Sequence, residues 1–185
     1  GARIRPRLEL SDSQARLALL LMVPRAIGLG ATQLVFLVMT SLATTLGAEA
    51  VVVFSFAFAV LQIPIGVIGV PLGIVLLPSL SREAALGAGE GFTRLVTRAL
   101  ALLGYVMIAT AALGIVVSGD LVRLLFGVAD MDESVLAATA AALGVFLLGL
   151  TAHSLITVLA RSFYALKDTA TPVAAALVAV AANII

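Results

Sequence analysis

The chain has 185 residues, of which 62% are hydrophobic and 11% charged, with a formal net charge of +1 and a mean hydropathy of +1.22. Soluble domains carry about 45–50% apolar and about 25% charged residues, so an ordinary water-soluble domain, a disordered chain and a nucleic-acid-binding protein are excluded. Without cysteine, disulfides, thiol catalysis and Cys-ligated metals are excluded as well.

The charges leave uncharged stretches at 26–48, 50–81, 99–119, 134–160 and 169–185. A helix needs about 20 apolar residues to cross a hydrocarbon core about 30 Å thick. We therefore expect an all-α, polytopic transmembrane helix bundle with five spans, near 26–48, 50–78, 99–119, 134–160 and 171–185, the last one truncated. A barrel would alternate by two, and runs such as Val51–Val53 and Leu72–Leu77 do not. Residues 1–25 read as a cytoplasmic or interfacial leading segment. Gly at position 1 and an apolar run reaching Ile185 give the expectation of an internal piece of a longer chain.

Counted segment by segment around these spans, Lys and Arg number 5, 0, 3, 1 and 2. Positive loops stay in the cytoplasm, so the first span is expected to run outward and the rest to alternate.

Span one carries a polar side of Gln33, Thr40 and Thr44. Threonines in membrane helices commonly bond their own backbone, whereas Gln33 is the better candidate for a cavity or a partner helix. In span two, Ser55, Gln62, Gly66, Gly69 and Gly73 fall on one face at ideal helical spacing. Gly69 and Gly73 form a small-xxx-small pair that favours close helix approach. Pro64 and Pro71 remove backbone donors in mid-span. Interrupted spans of this kind absorb motion and line substrate paths in transporters, although packing alone is the alternative. Between spans two and three, Gly87, Gly89 and Gly91 mark a break, and Arg94 and Arg98 open span three at the membrane surface. In span four, His153, Thr157, Arg161 and Tyr164 make a stripe toward the cytoplasmic end. An intramembrane ionisable residue is a functional candidate, with helix–helix hydrogen bonding the alternative for His153. Arg161 either snorkels or meets an anionic group. No phosphate loop, zinc-protease motif or nucleophile elbow is present, and Asp130, Asp132 and Glu133 read as a solvated loop. We expect no enzyme activity, cofactor or metal.

Four local patterns then stand in order. They are Pro24-Arg25-Ala26-Ile27-Gly28-Leu29-Gly30 followed by Gln33; Gln62 through Val70, read QIPIGVIGV; Leu77-Pro78-Ser79-Leu80-Ser81-Arg82-Glu83; and Arg161 through Thr169, read RSFYALKDT, followed by Thr171-Pro172-Val173. Together they resemble the MurJ/MviN lipid II flippases of the multidrug/oligosaccharidyl-lipid/polysaccharide exporter superfamily, from about Arg16 to the end. The resemblance implies a fourteen-helix, two-lobe transporter in the bacterial cytoplasmic membrane, with this piece as roughly helices seven to eleven at the start of the second lobe. It implies translocation of the undecaprenyl-pyrophosphate-linked peptidoglycan precursor, lipid II, by alternating access. The partners implied are that precursor, membrane lipids, the first lobe of the same chain and other cell-wall synthesis proteins. On this reading Gln33, Gln62 and His153 are polar groups along the substrate path. Arg25 and Arg161 are cytoplasmic-side anion contacts, and Pro64, Gly66, Gly69, Pro71 and Gly73 form the flexing and packing face. Several members carry an acid–arginine pair where this chain has Phe58 and Ala59, and some place Asn or Asp near Val35 and Met39. A related polysaccharide-lipid or small-molecule exporter, and a non-transporting scaffold of cell-wall synthesis, are the alternatives.

Overall fold

The computed structural model describes residues 33–127 and 131–184, together with Met22, Ala26 and Gly30. Arg25 and Asp130 lie outside the described residues. Among those described there is helix and turn and no strand, as a chain of long uninterrupted apolar runs requires where backbone groups cannot bond to water.

Helix α1 covers Gln33–Thr45. Its Thr44 and Thr45 hydroxyls donate to the carbonyls of Ser41 and Leu42, at 2.5 and 2.7 Å, and so satisfy themselves on their own helix. Gly47, with φ of +119°, turns the chain. Helix α2 (Ala48–Pro64) then begins with Glu49 in its first turn, where a carboxylate complements the helix dipole. A five-residue π-helical segment, Ile65–Gly69, joins it to α3 (Val70–Ala85). Helices α4 (Glu90–Phe126), α5 (Glu133–Ala165) and α6 (Ala170–Ile184) follow.

Among the described residues three helical stretches are long and apolar enough to cross a membrane: Ala48–Ala85, Glu90–Phe126 and Glu133–Ala165. They contain the second, third and fourth uncharged stretches and extend past them. At 38, 37 and 33 residues they exceed the length that a hydrocarbon core requires. The expected loops shrink accordingly. Arg82, Arg94, Arg98, Asp120 and Arg123 all lie on helices, because a charge ends the hydrocarbon and not the helix. The first and last expected spans contain the shorter apolar helices Gln33–Thr45 and Ala170–Ala182.

The helix ends show what stops them. After α3, Gly87 at φ +106° sends its N–H to the Ala84 carbonyl, and Ala88 N–H reaches Glu83, both at 3.1 Å. This is the Schellman arrangement, with glycine in the left-handed position. The end of α5 repeats it. Lys167 N–H donates to Tyr164 and Asp168 N–H to Phe163, both at 3.0 Å, but the left-handed residue is Lys167 at φ +62°. A side chain there is disfavoured by roughly 1–2 kcal/mol. Lys167→Gly is therefore expected to raise the thermal midpoint of the purified full-length protein, with a net gain of about 1 kcal/mol after the entropy of glycine is deducted.

Residues 37–168 make up one compact unit, in which α5 packs against α2, α3 and α4. Leu103 and Met107 of α4, Leu143 and Leu150 of α5 and Leu80 of α3 are fully buried. A Cβ on Gly114 would stand 2.9 Å from a Leu147 methyl, so the missing side chain lets α4 and α5 approach closely. Phe54 meets Phe146 edge-on at 5.8 Å between centroids, and Phe56 stacks on Phe126 at 4.2 Å, tying α2 to both neighbours. Arg123 donates to Glu133 through Nε at 3.1 Å, bridging α4 and α5 across an exposed pair that contributes little to stability. The outer surface remains apolar, with Tyr105, Val116 and Leu148 among its exposed residues. In water such a surface would be an aggregation hazard; against lipid tails it is the expected one.

Ser154 of α5 is fully buried, and its Oγ has no hydrogen-bond partner among the described residues. Thr139 and Ser162 on the same helix instead donate to their own helix, at Val135 and Val158. Removing a buried hydroxyl that makes no bond costs nothing and can relieve about 1–3 kcal/mol of desolvation. Ser154→Ala should leave the thermal midpoint of the full-length protein unchanged or higher; a fall of several degrees would show that the hydroxyl has a partner.

Candidate functional site: the interrupted span and Arg161

The two prolines of the 48–85 helix shape the centre of the site. Neither ring can donate a backbone N–H, and each clashes with the carbonyl four residues earlier. The helix responds by widening between them. Over Ile65–Gly69 it is π-helical, and Val70 N–H bonds to the Ile65 carbonyl, five residues back. A π turn takes up one extra residue and is common at functional positions in helices.

The widened turn also changes which residues share a face. At ideal spacing Gln62, Gly66, Gly69 and Gly73 would align. In the structure Gly69 and Gly73 are buried, while Gln62 and Gly66 are exposed. The spacing arithmetic assumes a constant rotation per residue, and the extra residue of the π turn breaks that constancy between Gly66 and Gly73.

The two buried glycines differ in what they make room for. A Cβ on Gly69 would lie 3.8 Å from Ile65 Cγ2 and 3.8 Å from Met107 Cε, which is ordinary contact. At Gly73 a Cβ would lie 2.8 Å from Arg161 Cδ and closer still to Cζ and Nη1. The Arg161 side chain thus lies directly on the Gly73 backbone. Its Nη1 donates to the carbonyl of Val70 at 3.1 Å, linking α5 to the first turn of α3 across 91 positions of sequence. Gly73 and Arg82 are nine residues apart, about 14 Å along the helix at 1.5 Å per residue. The guanidinium is therefore held along the apolar part of the span, away from its charged end. A cation at such depth needs bonded partners, and a charge-assisted bond of this type contributes about 1.5–3 kcal/mol.

Of the residues singled out in the sequence, the structure brings Gly73 and Arg161 together, with Pro71 two residues, Gly69 one turn and Pro64 between two and three turns before Gly73 on the same interrupted helix. Gly66 lies outside this contact; a Cβ there would meet nothing within 4 Å. Gln33, Gln62 and His153 are exposed on this chain. Thr157 donates back to the His153 carbonyl at 3.3 Å, so the stripe on α5 divides into a self-bonded part and Arg161. The Val70 carbonyl carried no signal in the sequence, because any backbone oxygen can accept. The proline one residue later is the one mark near it.

At the other end of this unit, α1, α2 and α5 enclose an open groove of about 620 Å³, lined by apolar side chains such as Met39, Val53 and Phe146, with Thr45 and Glu49 at its polar part. No cluster of three or more acidic, His or Cys side chains able to hold a metal exists among the described residues.

Comparison with known proteins agrees with this architecture. The family model described as "Lipid II flippase MurJ" matches residues 1–185. A probable lipid II flippase MurJ of Rhizobium tropici is 32% identical over 166 residues, covering 89% of this chain and 31% of that protein. One from Rhizobium meliloti is 32% identical over 188 residues, covering 100% of this chain and 34% of its own length. The Vibrio cholerae counterpart is 26% identical over 186 residues, with 100% of this chain and 35% of that protein covered. The chain thus spans about a third of the length of the curated relatives it matches. A helical, membrane-spanning chain matched by this model from its first residue to its last belongs to the MurJ lipid II flippase family.

Proposed function

We propose that this chain is the start of the second lobe of a flippase that carries lipid II from the cytoplasmic to the outer leaflet of the bacterial cytoplasmic membrane. The observation that carries this reading is the match to the flippase family over all 185 residues. Such a protein moves its substrate and leaves it chemically unchanged. The physical task is to take a pyrophosphate and a sugar across hydrocarbon while the lipid tail stays in the bilayer.

In this reading the interrupted span is the moving part. The π turn between Pro64 and Pro71 is a place where the helix bends at low cost, because its hydrogen bonds are already rearranged. Arg161, bonded to Val70 and seated on Gly73, holds one bent state against α5. Alternating access releases this bond, and in the other state the guanidinium exchanges the carbonyl for a phosphate oxygen, the charge-assisted contact that Arg forms best. Gln33, Gln62 and His153 are the proposed polar groups of the substrate path, and Arg25 a proposed cytoplasmic-side anion contact. The first lobe of the same chain supplies the opposite wall, and other cell-wall synthesis proteins deliver and consume the precursor.

The test is complementation. Cells depleted of their own lipid II flippase should regain growth and shape when the full-length parent of this chain is expressed in the membrane. Failure of the intact, membrane-inserted parent to restore growth would reject the reading in favour of an exporter of another substrate or a scaffold.

A further inference from the structure

A second polar feature lies where α3 ends and α4 begins. Ser79, Arg82 and Glu83 on α3 and Gly91, Arg94 and Arg98 on α4 line a cleft of about 310 Å³. Three guanidiniums face one carboxylate, a net charge of +2 (three minus one) on the lining. The carboxylate is drawn to one wall, since Glu83 lies over Gly91, where a β-carbon would collide with it. Arg94 is 3.7 Å from Glu90, an exposed pair one turn away on its own helix, which contributes little. Arg82 and Arg98 make no ion pair among the described residues. Three like charges gathered from two helices repel one another and favour an anion between them.

The depth of the cleft identifies the anion. Arg82 closes the uncharged stretch 50–81, and Arg98 directly precedes the uncharged stretch 99–119. The cleft therefore sits at the apolar–polar boundary of both helices, where lipid phosphates lie. Basic pockets between membrane helices at this depth suit anionic headgroups. The cleft's volume accommodates a phosphate diester and a small alcohol.

We propose that this cleft binds the phosphate diester of an anionic phospholipid, with Arg82, Arg94 and Arg98 donating to its non-bridging oxygens and the Ser79 hydroxyl at the rim. The site rests on the membrane reading alone; it lies at the far end of α3 from the π turn and does not include Arg161. Occupied, it fixes the α3–α4 connection at the bilayer surface while the helix above it bends.

The experiment titrates the purified full-length parent in neutral detergent with short-chain phosphatidylglycerol and, separately, short-chain phosphatidylcholine. Phosphatidylglycerol should bind at least about tenfold more tightly, because its headgroup carries a net negative charge and that of phosphatidylcholine does not. The combined variant Arg82→Gln/Arg94→Gln/Arg98→Gln should lose that preference, and Arg82→Lys/Arg94→Lys/Arg98→Lys should keep most of it, which separates lost charge from lost fold. Equal phosphatidylglycerol binding by the wild type and the glutamine variant would overturn the proposal. So would displacement of phosphatidylglycerol by equimolar inorganic phosphate or lipid II, which would assign the cleft to a free anion or to the precursor. Precursor translocation is measured separately; its absence with the lipid preference intact would reject the flippase reading and leave this site standing.

Discussion

Replacing Gly73 with alanine is expected to abolish precursor translocation by the full-length protein while leaving its membrane insertion unchanged. The added β-carbon would occupy the space of the Arg161 side chain, so the guanidinium must leave and its bond to the Val70 carbonyl is lost. Arg161→Ala should be at least as defective, because it removes the same bond and also the guanidinium proposed to meet the phosphate. The combined variant should be no worse than Arg161→Ala alone, since two changes that break one contact are not additive. Gly69→Ala is the control: its β-carbon meets only Ile65 and Met107 at 3.8 Å, and transport should stay near wild type. A bulkier residue at Gly69 would press on Met107 and lower transport. The bond is worth about 1.5–3 kcal/mol, which corresponds to a shift of roughly tenfold or more between the two states it distinguishes. Wild-type translocation by Gly73→Ala, with the protein at normal abundance, would remove Arg161 from the mechanism.

The combined variant Pro64→Ala/Pro71→Ala should raise thermal stability and lower transport. Each proline in a helix interior costs about 3 kcal/mol, and each alanine restores a backbone donor. With both N–H groups present, the segment from Ile65 to Gly69 is free to return to α-helical bonding. The residues beyond it would then rotate relative to α2, and Gly73 would leave its position beneath Arg161. A helix made regular in this way is a better helix and a poorer hinge. A bias of about 1.4 kcal/mol toward one state is already tenfold in population, so a clear loss of translocation with an increased thermal midpoint is the expected pair of readings. Unchanged transport would show that the π turn is incidental to function.

Several of these features were legible in the sequence and others were not, for separable physical reasons. Charge placement identified the apolar stretches, because burying a charge in hydrocarbon is costly wherever it occurs. It did not mark the helix ends: α3 runs through Arg82, and α4 begins before Arg94 and Arg98, since charged side chains are good helix formers in water. Helix ends were better marked by Gly47 and Gly87, whose left-handed backbone is visible as residue type. Lys167 takes the same conformation without any such mark. In span two the prolines announced an interruption, yet the π turn they induce moved Gly66 and Gln62 off the face of Gly69 and Gly73. Spacing alone placed all four together because it contains no term for an extra residue per turn. Arg161 was recognised as a cation near a membrane boundary. Its partner was hidden, because sequence periodicity gives the faces of a helix and says nothing about which faces meet across 91 residues.

Whether this chain is part of a lipid II flippase worked through its interrupted span is decided by the leaflet location of the precursor. In flippase-depleted cells carrying the full-length parent, lipid II should become accessible to a probe at the outer face of the membrane. Cells carrying Gly73→Ala at equal abundance should keep it inside. Retention of lipid II in the cytoplasmic leaflet despite normal amounts of the wild-type parent would show that the protein does not flip it.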